Sequence, residues 1–161
     1  CRKPIADAFW GPIESNPGFV EGHTYEGNPL ACAAGIAVLR EILERDLCGN
    51  ARARGARLRA GLAGVAERTG VIGDLRGKGL FLGVEFVRDR VTKERMPDGF
   101  GLKVGRRCLD NGMLCRFDPH WMAFGPPLIA TDADIDEILA IFEQSLAQVL
   151  NDAGSPPRPV G

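Results

Sequence analysis

The sequence predicts a mixed α/β or α+β domain in which a small sheet is covered by helices. Three observations carry this expectation. Apolar residues recur at helical spacing near residues 29–68 and 132–149. Between these, the segment 80–87 switches to strict alternation, the mark of a half-buried strand. Glycine and proline, 21 and 11 of 161 residues, separate the periodic segments at regular intervals. The composition excludes other classes. A 45% hydrophobic and 25% charged content is that of an ordinary globular domain rather than a disordered chain. No apolar run reaches the roughly 20 residues of a membrane span. A net charge of −1 argues against nucleic-acid binding by bulk charge.

Each element has a local reason. Residues 1–28 are broken by Gly11-Pro12, Asn16-Pro17-Gly18, Gly22 and Gly27, so only Pro4 to Trp10 suits a short helix. Asn28-Pro29 then offers an N-cap and a first-turn proline. The run Leu30 to Leu39 is apolar all round, which predicts buried first turns. Beyond Arg40 the helix becomes amphipathic, with Ile42, Leu43 and Leu47 on one side, and Gly49-Asn50 is expected to break it. A second helix runs from about Ala51 to Arg68 on a stripe of Leu58, Leu62, Val65 and Ala66.

Leu80, Leu82, Val84 and Phe86 share one face of the predicted strand. Arg88 to Gly99 is polar and reads as a loop. A helix from Phe100 to about Asn111 ends at Gly112, a favourable residue after a C-cap. Short strands are predicted at Met113 to Phe117 and Trp121 to Phe124, turning at Asp118-Pro119. Gly125-Pro126-Pro127 stops the sheet. Thr131-Asp132 caps a last helix whose buried stripe is Ile135, Ile138, Leu139, Phe142, Leu146 and Val149.

Several candidate sites have competing readings. Arg52, Arg54, Arg57 and Arg59 form either a solvated helix face or an anion site; no aromatics interleave them as single-stranded nucleic acid would want. Arg76-Gly77-Lys78-Gly79 suggests a phosphate loop, but its glycines suit tight turns better. His120 reads as a loop residue rather than a general base. The five cysteines show no metal spacing and read as reduced thiols of a cytosolic protein. The start, Cys1-Arg2-Lys3-Pro4, has no apolar signal region and no initiator Met, as expected of a chain that begins inside a longer protein.

The most informative stretch is Gly22-His23-Thr24-Tyr25-Glu26-Gly27-Asn28-Pro29-Leu30-Ala31-Cys32-Ala33-Ala34. It places a hydroxyl, an imidazole and glycine-freed backbone just before a helix start, an arrangement suited to an anion such as phosphate. The stretch resembles a signature of class III aminotransferases, pyridoxal-phosphate enzymes of fold type I. Gly73 to Glu85, Gly112-Met113-Leu114-Cys115-Arg116, Phe124 to Ile129 and Thr131 to Glu137 resemble later family segments in the same order.

The resemblance implies the C-terminal part of such an enzyme, with a small, mostly antiparallel sheet covered by helices. It implies that 1–28 ends a large cofactor-binding domain, 29–48 is an interdomain helix, 49–152 is the small domain and 153–161 a disordered tail. It implies transfer of an amino group from an ω-amino acid or amine to a 2-oxo acid, in a cytoplasmic homodimer or higher homo-oligomer. Neither a nucleic-acid nor a membrane partner is expected. Thr24 would bind the phosphate of pyridoxal 5'-phosphate, in the active site of the neighbouring subunit, with His23 and Tyr25 flanking it. Arg116 would hold the substrate carboxylate, for which a guanidinium is suited; the alternative is a surface ion-pair partner. Phe117-Asp118-Pro119-His120-Trp121 departs from the commoner family pattern there.

The family's Schiff-base lysine would lie upstream of His23, and none of Lys3, Lys78, Lys93 and Lys103 aligns with it. The chain by itself is therefore expected to be inactive. A non-catalytic piece that only folds and associates, or an aminomutase of the same family, are the alternatives. Two outcomes follow. Borohydride reduction of the chain with pyridoxal phosphate should leave no stoichiometric pyridoxyl-lysine on peptide mapping; a specific one overturns the expectation. Light scattering should show dimers or larger species, because the apolar helix start is sticky; a monomer at high concentration counts against it.

Overall fold

The computed structural model describes residues 2–12, 14, 18, 22–97 and 99–153. The chain divides into two compact units, Cys1–Arg40 and Glu41–Gly161. The expected tail at 153–161 lies outside the described residues, apart from Ala153, which ends the last helix.

The first unit opens with α1 (Lys3–Asp7), with Pro4 in its first turn and a Lys3–Asp7 pair at 2.8 Å across one turn. The helix stops short of the expected Trp10. Phe9 and Trp10 donate to the carbonyls of Ala6 and Asp7, a tightened final turn before Gly11-Pro12. Helix α2 (Pro29–Glu44) starts where the sequence places it. The Asn28 carboxamide oxygen accepts from Leu30 N at 3.0 Å and Ala31 N at 3.2 Å. The expected burial of its first turns is not found. No α2 residue is buried, and Leu30, at 80% exposure, stands free of the chain. An all-apolar helix start is built to be covered, yet nothing among the described residues covers it.

The second correction is the break after α2. Helix α3 (Leu47–Thr69) begins before Gly49-Asn50, not after it. Asp46 adopts a left-handed conformation, φ 43°, and its carboxylate accepts from Gly49 N at 3.1 Å. An Asp cap therefore stops one helix and starts the next. A Cβ at Gly49 would fall 2.0 Å from the Asp46 carboxylate, so a larger residue there would displace the capping side chain. Asn50, inside the first turn, donates to the carbonyls of Leu128 at 2.7 Å and Ala130 at 3.0 Å.

A four-stranded antiparallel sheet follows, in the order β1-β2-β4-β3. Its strands are β1 (Ile72–Lys78), β2 (Phe81–Phe86), β3 (Arg116–Phe117) and β4 (Trp121–Phe124), with α4 (Phe100–Asp110) between β2 and β3. The sequence marks β2 but reads β1 as a glycine-rich approach to it; two glycines and three charges hide an edge strand. The strand expected over Met113–Phe117 shrinks to its last two residues. Helix α5 (Asp132–Ala153) closes the chain. At its start Thr131 and Asp134 cap each other: Thr131 N and Oγ1 donate to Asp134 at 2.7 Å, and Asp134 N donates to Thr131 Oγ1 at 3.3 Å. These bonds hold the Asp134 carboxyl below its ordinary pKa.

Helices α3, α4 and α5 cover one face of the sheet. Leu82, Val84, Phe86, Met122 and Phe124 point into this layer, where they meet Leu58, Leu62, Val104, Ile135, Phe142 and Leu146. Phe124 meets Phe142 edge-on at 5.2 Å, and Phe86 meets Phe100 at 5.3 Å. The arginines early in α3 tie the unit together rather than facing solvent idly. Arg54 and Arg57 pair with Asp132 and Asp136 on α5, while Arg59 donates to the carbonyls of Leu75 and Gly77. Arg59 thereby occupies acceptors on the open edge of β1.

The Arg76-Gly77-Lys78-Gly79 stretch is the end of β1 and the first residue of the β1–β2 hairpin turn, with Gly77 at φ 127° and Gly79 at φ 55°. Gly55 of α3 lies directly against it. A Cβ at Gly55 would sit 2.2 Å from the Gly79 carbonyl oxygen and 2.3 Å from its carbon. Gly55→Ala is therefore expected to lower stability by about 1–3 kcal/mol in urea unfolding, because neither backbone can give way. Gly35→Ala on α2, with nothing within 4 Å of its Cβ position, should match or exceed the parent chain. Equal stabilities for the parent chain and Gly55→Ala would remove the close approach.

Candidate functional site

The residues singled out by the sequence fall in both units. Thr24 and Tyr25 lie in one exposed turn, 24–27, with His23 just before it, in the first. Glu26 N donates to the His23 carbonyl at 2.9 Å and Asn28 N to that of Tyr25 at 3.1 Å. Gly27, at φ 73°, lets the chain reverse into α2. Tyr25 is 81% exposed. His23 N approaches the Glu26 carboxylate at 3.5 Å.

The geometry changes how this segment can take an anion. The first amides of α2 are already engaged, because Asn28 takes Leu30 N and Ala31 N, Cys32 N bonds to the Asn28 carbonyl, and Pro29 has no N–H. The helix end is not the donor set. The Thr24 hydroxyl is the donor left over: it is exposed, and no described residue bonds to it. An anion at this turn would be met by Thr24 and by turn backbone, with the helix dipole behind them.

Arg116 belongs to the second unit. Its place follows from strand register. Arg76, Gly83, Ala123 and Arg116 are direct partners across β1, β2, β4 and β3, so their side chains share one face. The neighbouring row, Leu82 with Phe124 and Val84 with Met122, faces the helices. Arg116 therefore stands on the open face, over a floor of two small residues. Its guanidinium lies 5.7 Å from the centre of the Trp121 ring, a cation–π contact. No carboxylate among the described residues pairs with it. Arg76, at the far end of the row, is held by Asp74 and by Glu85 at 3.4 Å.

Arg116 also borders a cavity of about 910 Å³, walled by Cys115, Phe81, Pro126, Ile129 and Ile138. The acids Asp134 and Glu137 stand at its margin. The cavity is mostly apolar with one strong cation, suited to the carbon chain and carboxylate of a small acid. Sequence reading missed Trp121 as the partner of Arg116. The signal was present: both flank a tight turn and both alternate outward. Among the described residues there is no cluster of metal-ligating side chains, and no helix is long and apolar enough to cross a membrane. His120 lies in the β3–β4 turn, where its carbonyl accepts from Phe86 N at 2.8 Å.

Comparison with known proteins bears on the whole chain. The class-III aminotransferase family pattern matches residues 4–146. The chain is 36% identical over 138 residues to an uncharacterised aminotransferase, y4uB, of Sinorhizobium fredii, covering 83% of this chain and 30% of that protein. It is 37% identical over 138 residues to a leucine/methionine racemase of Thermococcus litoralis, covering 85% and 31%. An amine transaminase from an uncultivated Pseudomonas species, solved with pyridoxal phosphate bound, superimposes with a TM-score of 0.79 at 32% identity, covering 91% and 34%. The chain thus spans about a third of the length of the proteins it matches. The fold, the ordered motifs and the family match agree: the chain belongs to the class III aminotransferases, of pyridoxal-phosphate fold type I.

Proposed function

We propose that the chain is the C-terminal part of a pyridoxal-phosphate aminotransferase that moves an amino group from an ω-amino acid or amine to a 2-oxo acid. The observation that carries this is Arg116, a guanidinium with no carboxylate partner among the described residues, seated on Trp121 beside an apolar cavity. A substrate carboxylate suits this guanidinium, which can meet it through two parallel hydrogen bonds. The aliphatic body of the substrate would lie along Phe81 and Ile138.

The donor chemistry at Thr24 fits the cofactor phosphate: a hydroxyl with no partner among the described residues, on a turn whose backbone is exposed. When bound, pyridoxal phosphate supplies the electron sink for breaking a bond at the amino carbon. Thr24 would hold its phosphate, His23 and Tyr25 would flank that contact, and Arg116 would orient the substrate. The domain assignment belongs to the same proposal: a loop of the large domain to residue 28, an interdomain helix at 29–48 and a small domain over 49–152. So do the homodimer and the cytoplasmic location.

A second reading is racemisation of an α-amino acid, favoured by the identity to the leucine/methionine racemase. One assay separates the two. Transamination consumes a 2-oxo acid stoichiometrically; racemisation inverts the amino acid without one.

In the longer protein that carries this chain, Arg116→Ala should raise KM for a carboxylate-bearing amino acceptor by roughly 10–100-fold, the loss of a charge-assisted pair. A carboxylate-free amine donor should be unaffected, and Arg116→Lys should recover part of the loss. An unchanged KM for both substrates would overturn the clamp. Thr24→Val should weaken retention of the cofactor on dialysis at least several-fold; unaltered retention would remove Thr24 from the phosphate site.

A further inference from the structure

The open face of the sheet holds two arginines and two acids whose pairing is uneven. Arg76 and Arg116 stand at the two ends of one cross-strand row, with Gly83 and Ala123 between them. The next outward-facing row runs from Asp74 through Glu85 to Trp121. Arg76 bonds to both acids, to Asp74 and to Glu85 at 3.4 Å. Arg116 bonds to no acid among the described residues and rests on Trp121, 5.7 Å from the ring centre.

The cause is where Trp121 stands. It is diagonal to Arg116 across the β3–β4 pair, a separation that aromatic side chains span, and directly opposite Glu85 across the β4–β2 pair. Trp121 is therefore on the strand between Arg116 and Glu85. The floor offers no other obstacle. Gly83 and Ala123 carry no long side chain, and a hollow of about 400 Å³ lies beside them, lined also by Trp121, Arg76 and Phe81. Arg116 and Glu85 are two strands and two residues apart, roughly 12 Å between Cα atoms at ordinary sheet spacings. An extended arginine and glutamate together close that span.

We propose that Trp121 is a positioning residue for Arg116: its indole holds the guanidinium at the wall of the 910 Å³ cavity and bars it from Glu85, so that the charge stays available to a ligand carboxylate. Arg76 assists from the other side by occupying Glu85. This rests on the reading of Arg116 as the clamp for the carboxylate of a 2-oxo acid. An arginine paired with Glu85 would be lost to that acceptor, because the incoming carboxylate would have to displace an internal one. A ring face under the guanidinium plane does not compete in this way. It leaves the N–H edges, which bind a carboxylate through two parallel bonds, to the ligand.

Steady-state kinetics of the longer protein that carries this chain, with Arg116→Ala measured alongside, test the proposal. Trp121→Leu should raise KM for the 2-oxo acid about tenfold, through loss of the ring contact and capture of Arg116 by Glu85. Its kcat, and its KM for a carboxylate-free amine donor, should stay those of the parent. Trp121→Phe, which keeps a ring face, should lose less. Adding Glu85→Gln to Trp121→Leu should return KM to within about threefold of the parent, whereas Glu85→Gln alone should leave KM unchanged. Removing a charge elsewhere on the sheet would not repair a packing defect. Trp121→Thr, a good strand residue, supplies the same comparison should Trp121→Leu not fold. A raised KM in Arg116→Ala with an unchanged one in Trp121→Leu would keep the clamp and overturn the proposal. An unchanged KM in Arg116→Ala would overturn the clamp and the proposal together. A Trp121→Leu loss that Glu85→Gln fails to recover, or one that falls on kcat and on both substrates, would reduce Trp121 to packing and overturn the proposal as well.

Discussion

The second unit depends on one constraint: only one face of its four-stranded sheet is buried. Side chains along a strand alternate, so the choice of buried face decides every position. Leu82, Val84, Phe86, Met122 and Phe124 take the covered side. Their direct neighbours Gly83, Ala123 and Arg116 are then forced outward. Fully burying a residue such as Leu or Phe contributes roughly 1.5–3 kcal/mol, and burying an unpaired guanidinium is prohibitive. A slip of one residue would reverse both terms. The position of Arg116 on the open face is therefore a consequence of the core, not of any local preference at Arg116.

The covered face works only if α3 can lie close to the β1–β2 hairpin. Gly55 makes that approach possible, and Arg59 completes it by bonding carbonyls of β1. An edge strand rich in glycine and charge is weak alone. It is held because α3 supplies donors to its free edge and apolar stripe residues beneath it. The ion pairs from α3 to α5 are exposed, so they set the alignment of the two helices more than they stabilise them.

Helix α2 shows the opposite regime. Its start is encoded locally, by the Asn28 cap, a first-turn proline and an alanine-rich run. Its burial is not, since no described part of the chain covers it. The same cap limits which donors the turn before it can offer an anion. Once Asn28 has taken the first amides, the hydroxyl of Thr24 becomes the donor of interest. Capping and anion binding draw on the same few N–H groups, and a helix start that is well capped has fewer left for a ligand.

Much of this was legible in the residues. Periodicity located the helices and β2, and the stripes at Leu58–Ala66 and Ile135–Val149 were read correctly because each repeats a short local rule. Motifs in family order identified the class III aminotransferase relationship, and Thr24 and Arg116 as its candidate contacts. What failed were features whose cause is distant in sequence. Strand β1 is a strand because β2 and Arg59 complete its hydrogen bonds. Gly49-Asn50 does not break a helix because Asp46 captures one amide and the carbonyls of Leu128 and Ala130 occupy the Asn50 side chain. The sequence by itself determined which segments are helical, which residues prefer the interior and which family the chain belongs to, since these rest on spacing within a few residues. Only the tertiary structure decided that Arg116 rests on Trp121 beside a cavity and that Gly55 lies against Gly79, because strand pairing and helix packing bring together groups that no local rule connects.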